Sequence, residues 1–172
     1  MIRYAFFITL FLLFIMEGTV YQIFAPDQYG VEYIFVPRWV FMLIIFAGIF
    51  RGRAVGTFYG VIFGVLYDVI FSSALGINTF AMGFIAYLFS IAIPFFQRNL
   101  FVTVIITMIA VTLLEYFSYG MMLLLGMTEM GHHMFLYDRF IPTFIMNFVI
   151  ISVAAYPLRK GFYYLKKRLE EL

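Results

Sequence analysis

The chain has 172 residues, 65% of them hydrophobic, 22% aromatic and only 12% charged. That is more apolar surface than a soluble core of this length can hide, so a water-soluble globular domain is excluded. A net charge of +2 gives no basis for a nucleic-acid partner, and the absence of cysteine excludes disulfides and thiolate metal sites.

At about 20 apolar residues per crossing, the length allows roughly six helical spans joined by short connections. Residues 4–24 form the first, interrupted only by Glu17; Glu17-Gly18-Thr19 is no small-x-small cleavage site, so this helix is expected to be retained. Turn formers at 25–30 close it, and the second span is predicted over 34–50. Arg51-Gly52-Arg53 makes a tight polar turn before the third, over 54–71. The fourth is expected over 75–96, the fifth over 100–125 and, after a loop at 126–137, the sixth over 140–158. A basic, helical tail at 159–172 completes one transmembrane domain covering 1–172.

Positive charge is retained on the cytoplasmic side of a membrane. With both termini cytoplasmic, nine of the eleven Lys and Arg fall inside: Arg3, Arg51, Arg53, Arg98, Arg159, Lys160, Lys166, Lys167 and Arg168. Only Arg38 and Arg139 fall outside, each at the start of a span, while the outer loops hold Asp27, Glu32, Glu129 and Asp138. Six helices with both ends inside satisfies this distribution. The tail is expected to anchor that topology and to attract anionic lipid.

Ionisable groups within a hydrocarbon span need a partner, water or a function. Depths calculated from helical rise place Glu17, Arg38, Asp68, Glu115, Asp138 and Arg139 in the outer half of the membrane, as an outward-opening polar cluster. Snorkelling to headgroups and structural ion pairs is the plainer reading, and Asp138 and Arg139 suit it. Asp68 and Glu115 suit it less, because short acidic side chains snorkel poorly. A binding pocket and a docking seam for another helix both remain open. Arg38 and Arg139 are each expected to clamp a carboxylate, either Asp68 or an acid on a partner.

On the third span, Gly56, Gly60 and Gly64 form a doubled GxxxG with Asp68 as the next step of four. The stripe removes side chains from one face, so it serves either helix packing within the bundle or docking of a partner. Asn147, in the sixth span, is expected to hydrogen-bond across helices. There is no phosphate loop, HExxH, GxSxG or Ser-His-Asp pattern, and His132-His133 lacks the spacing of a helical metal pair. Neither a cofactor nor a catalytic constellation is expected. A lipid-handling enzyme with Glu115 or Asp68 as base is the weakest alternative.

Several segments together resemble one family. They are Val36-Pro37-Arg38-Trp39, the run Gly60 to Asp68, Ser72 to Gly76, Leu113-Leu114-Glu115 and Asp138-Arg139-Phe140-Ile141-Pro142-Thr143. In this order and topology the chain resembles the MreD family of rod shape-determining membrane proteins, in the form found in Firmicutes-like bacteria, from about residue 36 to the tail. The resemblance implies a non-enzymatic, multi-pass scaffold of the bacterial cytoplasmic membrane within the cell-wall elongation machinery. It implies association with the bitopic protein MreC and, through it, with MreB filaments, the RodA glycan polymerase and a class B penicillin-binding protein. It also implies a fold similar to the substrate-capture subunits of energy-coupling-factor transporters. The rival reading is therefore such a capture subunit, holding a small molecule or lipid in an outward-facing pocket. The first span lacks the Ala-x-x-x-Ala stripe which those subunits present to their energising module, and this weakens the rival.

Overall fold

The computed structural model describes residues 2–23, 33–72, 74–90 and 94–170. Asp27 and Glu32 of the expected first outer loop, and the side chains of Arg3, Lys166, Lys167 and Arg168, lie outside the described residues. Among the described residues the protein is all helical: α1 Ile2–Ile23, α2 Trp39–Arg51, α3 Arg53–Phe71, α4 Ile77–Phe89, a short α5 Pro94–Arg98, α6 Leu100–Leu124 and α7 Ile141–Glu170. A single turn, His132–Met134, and a π-helical segment, Phe135–Phe140, lead directly into α7. Four stretches are long and apolar enough to cross a membrane: Ala5–Ile23, Arg53–Phe71, Leu100–Leu124 and His132–Tyr164. The helices α2 and α4 are apolar but shorter.

The helix α2 is the axis of the molecule. It touches all six other helices, and every residue from Val40 to Phe50 is buried. A helix hydrophobic all round is stable only when surrounded, and the run WVFMLIIFAGIF has no polar face to offer solvent or headgroups. Around it, α1 contributes Phe6, Leu10 and Phe14, spaced by one helical turn, with Phe14 set edge-on to Tyr67 of α3 at 4.9 Å between ring centroids. Glu17 continues that buried stripe by three residues, so the pattern which buries the phenylalanines also carries an acid inward.

The structure corrects three of the expected boundaries. The second span does not begin as a helix: residues 33–38 form no regular secondary structure and the helix starts at Trp39. Pro37 accounts for this, since a proline disfavours helical geometry at the residue before it. The fourth span is not continuous either, because α4 ends at Phe89. Pro94 has no amide to bond back to the carbonyl of Ser90, where the chain leaves helical geometry. In the expected loop at 126–137, helical turns resume at His132.

Tight joints hold the remaining elements. Gly52 joins α2 to α3 at φ 102°, a conformation that side-chain-bearing residues rarely adopt. Along α3 the glycine stripe faces α4. A Cβ on Gly64 would lie 2.6 Å from Thr79 Cα, and one on Gly60 would lie 2.8 Å from the Met82 carbonyl oxygen. Gly56 faces Gly48 of α2 and the fully buried Ser90. Of the two uses expected for the stripe, the structure displays packing within the bundle: backbones approach where side chains are missing.

Candidate functional site

The irregular segment at 33–38 brings unpaired backbone groups into the protein, and each needs a partner. Alternate residues of the segment, 34, 36 and 38, bond in turn to Asp138, Thr143 and Asn147 along the π-helical segment and α7. Ile34 N–H donates to the Asp138 carbonyl at 2.7 Å. Val36 N–H donates to Thr143 Oγ1 at 3.1 Å, and that hydroxyl donates to the Ile34 carbonyl at 3.2 Å. One turn further, Arg38 N–H donates to Asn147 Oδ1, and Asn147 Nδ2 donates to the Val36 carbonyl, both at 3.0 Å. Pro37, with no donor to satisfy, falls between two bonded positions. Glu17 Oε1 then accepts Val40 N–H at 2.7 Å, satisfying one of the free donors at the start of α2.

The ladder places Arg38 at the mouth of α2 with its guanidinium inward. Arg38 Nε donates to Glu115 Oε1 at 2.5 Å, and Arg139 Nη2 reaches the other oxygen of the same carboxylate at 3.4 Å. Glu115 is 1% exposed. The expectation that either arginine clamps Asp68 within the bundle is therefore corrected: both converge on Glu115. The Arg38 guanidinium also sits over the ring of Tyr67, 5.9 Å from its centroid. Arg139 reaches Glu115 from the π-helical segment that also carries Asp138.

Asp68 is placed elsewhere. Its two oxygens accept five hydrogen bonds from the start of α4: Gly76 N–H, Thr79 N–H and Thr79 Oγ1 on Oδ2, and Asn78 N–H and Nδ2 on Oδ1. An anion at a helix N-terminus meets both the free amides and the positive end of the helix dipole. Asp138 enters the ladder through its backbone carbonyl.

Glu17, Arg38 and Arg139 line a cavity of about 140 Å³ near the ends of α1, α3 and α6. Tyr67, Ser72, Asn78 and Ser118 complete its polar wall; Gly18, Tyr21, Val36, Pro37, Phe71, Ile77 and Met122 supply the rest. Of the six ionisable residues expected to cluster, the structure brings Glu17, Arg38 and Arg139 to one cavity, with Glu115 paired to both arginines behind its wall. Asp68 stands one residue behind its wall through Asn78, and the Asp138 carboxylate has no part in it. Tyr67 and Thr143 entered the sequence reading only as members of the family-like segments, and Asn78, Thr79 and Ser118 were not singled out at all. The only signal of those last three was being polar inside apolar spans or next to a helix start.

A family model described as rod shape-determining protein MreD matches residues 1–166. The chain belongs to the MreD family. The rod shape-determining protein MreD of Bacillus subtilis (strain 168) is 31% identical over 140 residues, 81% of each chain. No solved structure matches the chain. Membership in the MreD family assigns a role in rod shape determination, and the four long apolar helices agree with a membrane protein.

Proposed function

We propose that the protein is a non-enzymatic scaffold of the cell-wall elongation complex, binding MreC and, through it, MreB filaments, RodA and a class B penicillin-binding protein. The match to the MreD family over almost the whole chain carries this reading. In this reading the chain crosses the bacterial cytoplasmic membrane six times with both termini inside. The inward bias of the Lys and Arg residues supports that count, and α2, although short, gains reach from the irregular segment before it. The basic tail lies against anionic lipid. The glycine stripe, spent on α4, leaves MreC to dock on other lipid-facing surface.

A transporter capture subunit is the less favoured reading, because family membership points to shape determination. The test is mild detergent extraction of native membranes carrying a tagged copy, followed by mass spectrometry of what co-purifies. Recovery of MreC together with RodA or a penicillin-binding protein is expected. Recovery of a membrane ATPase module without MreC would overturn the scaffold reading.

A further inference from the structure

Two arginines at the cavity share one carboxylate. Arg38 and Arg139 both bind Glu115, and among the described residues these are the ion pairs. The trio therefore carries one positive charge in excess. Asp68 does not offset it, because its oxygens are spent on donors at the start of α4. Glu17 joins neither ion pair, is 2% exposed and has Val40 N–H as its hydrogen-bond partner among the described residues. A carboxyl buried without a cation partner is least costly as the neutral acid.

The excess charge comes with unspent donors. Arg38 is 6% exposed, and its Nε is committed to Glu115. Its Nη1 and Nη2 donate to nothing among the described residues, yet neither is among the polar atoms left both unpaired and shut off from solvent. They are open to the cavity that the side chain lines. The same holds for Nη1 of Arg139, whose side chain is 25% exposed. The other donors on the wall are used within the protein: Ser72 Oγ on the Ala74 carbonyl and Asn78 Nδ2 on Asp68. Guanidinium groups with free N–H and an uncompensated charge select an oxyanion, and a tetrahedral phosphate has oxygens for both. A cavity of about 140 Å³ admits a group of a few heavy atoms rather than a helix. Gly18, Phe71 and Met122 set it within about two turns of the ends of α1, α3 and α6, and the apolar parts of its rim suit the rest of an amphiphile.

We propose that this cavity binds one singly charged phosphodiester, held by the free guanidinium nitrogens of Arg38 and Arg139. An anionic phospholipid and a soluble phosphodiester share this chemistry. A zwitterionic phospholipid brings the same phosphate but also a cation, which leaves the excess charge of the arginine pair standing. The site is independent of MreC binding, so failure of either proposal leaves the other in place.

The full chain in neutral detergent is titrated separately with phosphatidylglycerol, phosphatidylcholine and glycerophosphoglycerol, and occupancy is read by native mass spectrometry. One tight copy of phosphatidylglycerol per chain is expected, bound roughly tenfold more strongly than phosphatidylcholine. Arg139→Gln is expected to abolish that tight copy, whereas lipid drawn to the basic tail stays. Met122→Trp, which fills the rim and leaves every charge in place, is expected to weaken it by about tenfold. Glu17→Gln replaces a neutral acid by a neutral amide and is expected to leave the affinity within about twofold. Equal affinity for glycerophosphoglycerol would assign the site to a soluble phosphodiester; much weaker affinity would assign it to the lipid. The proposal is overturned if neither glycerol compound binds, if phosphatidylcholine binds as tightly, or if the tight copy survives in Arg139→Gln or, undiminished, in Met122→Trp. A tenfold gain in Glu17→Gln would show that Glu17 carries charge, and would overturn it too.

Discussion

Asp68 and Glu17 are both buried acids, each 2% exposed and each at the start of another helix, yet they are finished to different degrees. Asp68 accepts five hydrogen bonds, all from residues 8 to 11 positions downstream, and neither oxygen is idle. Glu17 uses one oxygen on Val40 N–H, 23 residues away, and leaves the other buried without a partner among the described residues. The α3–α4 seam is complete within itself: its glycines meet backbone and its acid meets amides. The space bounded by α1, residues 36–38, α3, α6 and the π-helical segment is incomplete. A saturated acid reads as architecture, and a half-used one beside unpaired donors reads as a site.

This contrast breaks most sharply at Asp68. Asp68→Asn preserves size but turns one oxygen into a donor facing amides and a hydroxyl, so a loss of about 3–5 kcal/mol is expected, read as a large fall in melting temperature in detergent. Gly64→Leu forces a side chain against the α4 backbone and is expected to cost about 3 kcal/mol by the same assay. On the other side of the comparison, Asn147→Ala removes the clamp on the irregular segment and leaves Arg38 N–H and the Val36 carbonyl unpaired, for about 2 kcal/mol. Glu17→Gln is expected to cost less than about 1 kcal/mol, because the oxygen that holds Val40 has an equivalent in the amide. If Glu17→Gln unfolded the protein as readily as Asp68→Asn, the distinction between frame and site would fail.

Much of this was legible in the sequence, and unevenly so. The glycine stripe is a local pattern whose spacing specifies a smooth helix face, and the depths of Glu17, Asp68 and Glu115 follow from helical rise alone. Rotation about each helix axis is not contained in depth, which is why Asp68 was expected opposite Arg38 although the packing pairs that arginine with Glu115. The breaks at Pro37 and Pro94 were visible as residues but hidden by apolar surroundings that suit a continuous span. Least legible was the ladder from 34 to 38, since its partners Thr143 and Asn147 lie 107 to 111 positions away and no local signal sets that register.

The role in rod shape is tested most directly in the source cell. The chromosomal copy is deleted, the chain is supplied from an inducible promoter, and cell width is followed by microscopy. Rods are expected to widen and round on depletion and to recover on induction. Unchanged rod width through depletion would contradict the account.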